Sequence, residues 1–310
     1  MVTSILTVVL KVAELFLMIG VGVICVKTGM ITRRGVSQLT SLLLYIVAPS
    51  LIVSSLATDE SAISLDKLAL SFGLAVLAHV LGIVLSWLFF RREPESRRCV
   101  FRFAMVYSNT GFMGMPLVQA VVGEEGVVYA SIFMAVFNVF AWTHGYGLMS
   151  GGQRSNWKKI LLNPGIIGLV IGLPLFFLRC PLPELLAVPV DSFAALNTPL
   201  AMVVIGCNIA RVPLREFVSD RKIFWLSALR LILVPAVFFA VSILFQPEAV
   251  LLTTCVIQAS APVAANTVLF ATQFGADDRL AARIVAVTTL LSIVTMPLFV
   301  LVAQAFTGTL

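Results

Sequence analysis

Membrane-length apolar stretches follow one another through almost the whole of this chain, and two of them are broken in the middle. Crossing a bilayer takes about 20 apolar helical residues. Residues 99–122 and 249–273 are each long enough, yet each carries small, polar and proline residues near its centre. The first reads Tyr107-Ser-Asn-Thr-Gly-Phe-Met-Gly-Met-Pro116; the second reads Gln258-Ala-Ser-Ala-Pro-Val-Ala-Ala-Asn-Thr267. Gly and Pro open the helical hydrogen-bond ladder, and hydrocarbon cannot satisfy the amides and carbonyls so freed. Such a break survives only where it packs in protein or lines a polar cavity. Two matched breaks, half a chain apart, point to a substrate site at the bilayer midplane.

Apolar windows fall at about 4–26, 36–57, 67–90, 99–122, 126–149, 160–178, 188–210, 222–245, 249–273 and 281–305, ten in all. The chain is 60% hydrophobic and only 12% charged. A soluble domain carries about 25% charged residues, so the fold class is an all-α membrane protein. The segment Thr3 to Val26 lacks a basic leader and a small-residue cleavage site, and reads as a retained span. The net charge of +6 invites a nucleic-acid reading, but the placement of the charges removes it. Lys27, Arg33 and Arg34; Arg91, Arg92, Arg97, Arg98 and Arg102; Arg154, Lys158 and Lys159; Arg211, Arg215, Arg221 and Lys222; and Arg279 and Arg283 all fall in or beside alternate loops. The opposite loops hold Asp59, Glu60, Asp66, Glu124, Glu125, Glu184, Asp191 and Glu248. By the positive-inside rule the basic loops are cytoplasmic and both termini lie outside, in a multi-pass protein of the cytoplasmic (inner) membrane. The basic charge sets topology, and the partner is membrane lipid, with no nucleic acid.

A shift of 150–152 residues superposes landmarks: Pro49 on Pro199, Gly22 on Gly172, Ser108 on Ser260, Leu117 on Leu269, Gly123 on Gly275 and Glu125 on Asp277. Five spans per half is an odd number, so the second half enters from the opposite side. Two inverted five-helix repeats follow, residues 1–150 and 151–310, with spans 4 and 9 as broken crossover helices. Ser150 to Asn156 is the candidate hinge between them, and Gly123-Glu-Glu-Gly126 a tight hairpin between spans 4 and 5.

If the breaks cross, two half-helices begin there, near Pro116 and Pro262, and proline suits a first helical position. Each start offers free N–H groups and a positive dipole end, which favour an anion. The candidate substrate-binding set is Ser108, Asn109, Thr110, Gly111 and Pro116 on one break, with Ser260, Ala261, Pro262 and Asn266 on the other, and Asn138 at the border. Asn197 is a second border candidate; either asparagine could instead hold helices together. Ionisable residues inside spans are few and costly there. Glu14 and His79 are the candidates for proton coupling. The alternatives are an ion pair of Glu14 with Lys11 at i, i+3 and an interhelical hydrogen bond for His79. Arg230 is expected to snorkel to the cytoplasmic surface. The five cysteines have no metal-like spacing, and no catalytic or phosphate-loop motif is present, so no enzyme activity, metal or cofactor is expected.

Asn109-Thr-Gly-Phe-Met-Gly-Met-Pro-Leu117 resembles the span-4 signature of the auxin efflux carrier family. Asn163-Pro-Gly-Ile-Ile-Gly168, Pro199-Leu-Ala-Met-Val-Val-Ile-Gly206 and Ala259-Ser-Ala-Pro-Val-Ala264 fit it too. The resemblance implies a fold related to sodium–bile acid symporters, with a scaffold and a transport domain and a homodimer through the scaffold. It also implies transport of small organic anions, auxin in plants or malonate- and malate-type dicarboxylates in bacteria. The short loop from Ser150 to Lys159 resembles bacterial members. Two other functions stay open at this point. One is a sodium-coupled importer of a neutral or steroid-like solute, with Ser260, Asn266, Thr267 and Gln258 as ion ligands. The other is a non-transporting receptor or channel-like protein, disfavoured by the short loops.

Overall fold

The computed structural model describes residues 2–57, 64–152, 158, 161–211 and 220–309, with side chains from Leu10 onward. Asp59, Glu60, Arg154, Lys159, Arg215 and part of the hinge candidate lie outside the described residues. Helices dominate: α1 Val2–Lys27, α2 Arg33–Leu56, α3 Leu65–Leu88, α4a Glu95–Val106, α4b at 110–121, α5 Glu124–Met149, α6 Pro164–Leu178, α7 Glu184–Ile209, α8 Arg221–Phe245, α9a Ala249–Ser260, α9b Asn266–Phe274 and α10 Asp278–Thr307. Six of these, α2, α3, α5, α7, α8 and α10, are long and apolar enough to cross a membrane; α6 and α9a are shorter apolar helices. Among the described residues there is no strand, only one isolated antiparallel bridge, between Ser108 and Val263.

Local chemistry sets the ends. Thr32, Asn163, Asp220 and Asp277 accept from backbone N–H groups at the starts of α2, α6, α8 and α10, satisfying donors that the helix leaves unpaired. Gly123, at φ +93°, makes the hairpin between α4b and α5, a conformation that disfavours a Cβ. Four helices widen into a π turn: Leu43–Val47, Thr110–Gly114, Ala141–Gly145 and Leu229–Leu233. Pro49, Pro116 and Pro235 each follow two residues after such a turn. Proline lacks an N–H and its ring presses on the carbonyl four residues back. That carbonyl lies at the centre of the π turn before each of these three prolines, so the widening there absorbs the clash.

Packing is closest where glycines meet backbone. In α1 and α7, a Cβ on Gly22 would strike the Val203 carbonyl oxygen, and one on Gly206 would strike that of Ile19. In α6, Gly168 and Gly172 press in the same way on Pro49, Ile52 and Leu56 of α2. Small residues let helix backbones approach in lipid, where burial gives helices little other reason to associate. Gly206→Ala should therefore lower the thermal midpoint in detergent, by a cost of about 1–3 kcal/mol for forced overpacking. Gly20→Ala, with nothing within 4 Å of its Cβ, should be neutral or stabilising. Equal midpoints for the two variants would remove the tight α1–α7 contact.

Candidate functional site

The two breaks cross and bond to each other. The Asn109 N–H donates to the Pro262 carbonyl at 2.7 Å, and the Ala264 N–H to the Tyr107 carbonyl at 3.0 Å. Thr288 of α10 closes the junction, its hydroxyl accepting from the Val263 N–H at 3.3 Å. The backbone groups freed by Gly and Pro thus find partners in the opposing break, as an apolar surround requires.

Beyond the crossing α4b starts at once. Its first turn is the π turn, and the Asn109 Oδ1 accepts from the Phe112 N–H at 3.3 Å. Pro116 sits one turn further on, early in the α-helical part, and so is not the start of the half-helix. Pro262 lies in the extended break itself, four residues before α9b opens at Asn266. The half-helix starts therefore belong to Asn109 and Ala265.

A cavity of about 190 Å³ lies against this junction. Of the sequence candidates, Ser108, Asn109, Thr110, Gly111, Asn138 and Asn266 line it; Pro116, Ser260, Ala261 and Pro262 do not. Ser260 is buried, its hydroxyl bonded to the Ile257 carbonyl at 3.1 Å. Asn163, at the start of α6, also lines the cavity and was not among the sequence candidates. Its signal was the Asn-Pro-Gly sequence, which reads as an N-cap followed by proline at the first helical position. Four carboxamides thus surround a chamber whose lining holds no ionised group among the described residues. The side-chain oxygens of Asn109 and Asn163 are both committed to capping, to Phe112 N and to Gly165 N at 3.0 Å. What remains for a ligand on these two residues is the donating NH₂ end.

A larger cavity, about 660 Å³, shares Asn109, Phe112 and Ala265 with the first and reaches the basic end of the molecule, where Arg33, Arg211, Asp278, Arg279 and Arg283 line it. Beside it, the Arg97 guanidinium pairs with Asp220. Burial pushes the Asp220 carboxyl up, but the Lys222 amide, Arg97 and the charge of Arg283 outweigh it and hold the group below its ordinary value. A third pocket, about 380 Å³, lies elsewhere, lined by Ser54, Gln119, Glu124 and Asp191 among others.

The ionisable candidates separate. Glu14 is exposed and paired with Lys11 at 3.1 Å, away from the crossing cavities. His79 is buried, its Nδ1 2.7 Å from the Ala75 carbonyl and its ring stacked on Phe140 at 5.0 Å. Its Nε2 has no partner among the described residues. Asn197 is buried and lines neither crossing cavity. Arg230 corrects the sequence expectation: it is 1% exposed and does not snorkel. Its guanidinium donates to the Ala259 and Ala261 carbonyls, both at 3.0 Å, at the end of α9a. Those carbonyls carry the negative end of the helix dipole, which a cation at this end complements better than water at the surface could. Of the sodium-ligand candidates, Gln258 and Thr267 keep side-chain atoms without partners among the described residues.

A multi-pass helical membrane protein with a polar cavity at a crossing of two broken helices has the build of a transporter. The chain belongs to the membrane transport protein family, the auxin efflux carriers, whose pattern it matches over residues 7–300. It is 25% identical over 272 residues to a Rhizobium meliloti protein named "Putative malonate transporter", covering 83% of this chain and 84% of that one. An "Uncharacterized transporter" of Methanothermobacter thermautotrophicus is 26% identical over 297 residues, 93% and 96% of the two chains. The Arabidopsis thaliana "Protein PIN-LIKES 1" is 24% identical over 160 residues, covering 45% of this chain and 33% of that one.

Proposed function

We propose that this protein is a secondary transporter of small organic anions in the cytoplasmic membrane, working by alternating access at the crossing. One observation carries the reading: a neutral cavity of carboxamides, two of them with their oxygens already spent, beside the N-terminal ends of two half-helices. Donors without a compensating cation favour a carboxylate through dipoles alone. The name of the Rhizobium relative agrees with such a ligand.

The scaffold for this cycle is ten spans in two inverted repeats. The close pairs support it: α1 against α7 and α2 against α6 are equivalent under exchange of the halves. Gly22 and Gly172, superposed by the sequence shift, both sit in these contacts. In this reading α1, α2, α6 and α7 form the scaffold and the remaining helices move with the crossing.

Purified protein in liposomes, offered labelled mono- and dicarboxylates, tests the proposal. Flux should follow an imposed potential, which supplies about 2.3 kcal/mol per charge per 100 mV. Sodium-dependent uptake of a neutral solute, with no carboxylate flux, would replace this reading by the importer.

A further inference from the structure

Three sulfurs gather at the basic end of the seam between α1 and α7, away from the cavities at the crossing. Gly22 and Gly206 bring the two backbones into contact there. Cys25 follows three residues after the first glycine, and Cys207 directly after the second. The Cys207 thiol is wholly buried and donates to the Gly22 carbonyl at 3.4 Å. In a helix a γ atom reaches the carbonyl three residues back, so the Cys25 sulfur stands beside the same carbonyl. A charge on Cys25 accordingly acts on Cys207. Beyond α1 the chain turns at Gly29, φ +76°, and the Ile31 N–H bonds back to the Cys25 carbonyl at 3.0 Å. That turn returns Met30, whose Sδ accepts from the Cys25 thiol at 3.8 Å.

Both thiols are free. On the topology read from the basic loops this end is cytoplasmic, where thiols stay reduced. Thiolates and a thioether are soft ligands and select a soft cation such as Cu(I). Structural zinc takes four ligands, and among the described residues no three His, Cys, Asp or Glu side chains cluster. Sulfurs about 2.3 Å from a shared ion, as at zinc, stand about 4 Å apart at the corners of a trigonal site. The pair Cys25 and Met30 already has that spacing. Met30 is 76% exposed and Cys25 half-buried, so an ion can enter from water. The charge of Arg211, four residues after Cys207, acts on that sulfur, and a neighbouring cation favours the thiolate.

We propose that Cys25, Cys207 and Met30 form a binding site for one soft monovalent metal ion, Cu(I). Binding breaks the two S–H bonds and forms three metal–sulfur bonds, the third from a lone pair of the Met30 thioether. The two protons pass to solvent, and no electron moves, because copper enters and stays as Cu(I). The bound group carries one net negative charge, which the Arg211 guanidinium offsets. The ion fastens α1, the turn that follows it and α7 into one clamp. The site stands apart from the crossing and does not rest on the transport reading.

Purified protein in detergent, kept reduced with ascorbate, is titrated with Cu(I) held by the chromophoric chelator bicinchoninate. The wild type should take one Cu(I) per chain from the chelator. Its thermal midpoint should rise, and X-ray absorption should show a shell of sulfur alone. Cys25→Ser and Cys207→Ser should each weaken binding about a hundredfold, and Met30→Leu about tenfold. Cys180→Ser removes an exposed thiol ahead of α7, at its opposite end, and should leave binding unchanged. Cys25→Ser and Met30→Leu keep the test decisive if the buried Cys207→Ser does not fold. Copper held as tightly by Cys25→Ser as by the wild type, or released by Cys180→Ser, overturns the site. So does a wild-type protein that takes no copper from the chelator.

Discussion

Asn109→Asp is expected to abolish organic-anion flux while the protein keeps its thermal midpoint. Aspartate is as good an N-cap as asparagine, so the bond to the Phe112 N–H is retained, and a negative charge at a helix start is favourable. The same charge occupies the place assigned to the substrate carboxylate. Two unit charges 4 Å apart repel by about 4 kcal/mol at an effective dielectric of 20. At about 1.4 kcal/mol per factor of ten, affinity falls about a thousandfold. Asn109→Ala should also lose flux, but with a midpoint lowered by the missing cap, worth about 1 kcal/mol. The pair separates binding from folding: the aspartate variant is stable and silent, the alanine variant less stable and silent. An aspartate variant that carries malonate at the wild-type rate removes Asn109 from the site.

Much of this arrangement was legible in the chain because it rests on local chemistry. Gly111, Gly114, Pro116 and Pro262 mark the breaks by what they do to a helical ladder. The Lys11–Glu14 pair follows from i, i+3 spacing alone. Gly123 and the adjoining glutamates mark the hairpin. The spacing of the half-helix starts was less legible. Proline at a first helical turn is a sound local rule, but at Pro116 the π turn moved the start back to Asn109. Asn163 escaped because its capping role was legible and its neighbour across the cavity was not; the Asn138 amide comes to the adjoining Gly165 only through the packing of α5 on α6. Arg230 was misread for the same reason. A charge inside a span has two outcomes, the surface or a buried partner, and its partners are carbonyls some 30 positions onward in another helix. Identifying them needs the fold.

Arg230→Met should be the most destabilising single change in the described spans. Methionine keeps the length and apolar stem of the side chain, so little volume is lost. What disappears are two hydrogen bonds, leaving the Ala259 and Ala261 carbonyls buried without donors. Each orphaned acceptor costs about 1–3 kcal/mol, so the variant should lose about 2–6 kcal/mol. A rival consideration is that burying a guanidinium is itself costly, and hydrophobic replacement of a buried ion pair is often neutral. That outcome requires both partners to be replaced, and here the carbonyls remain. Arg230→Lys should fall between, since one ammonium cannot reproduce the fork that spans both oxygens. Because Ala261 immediately precedes the crossing, flux should drop in step with the midpoint: wild type, then lysine, then methionine. Thermal unfolding in detergent beside malonate uptake in liposomes checks that order, and a methionine variant as stable as the wild type would show that the end of α9a needs no cation.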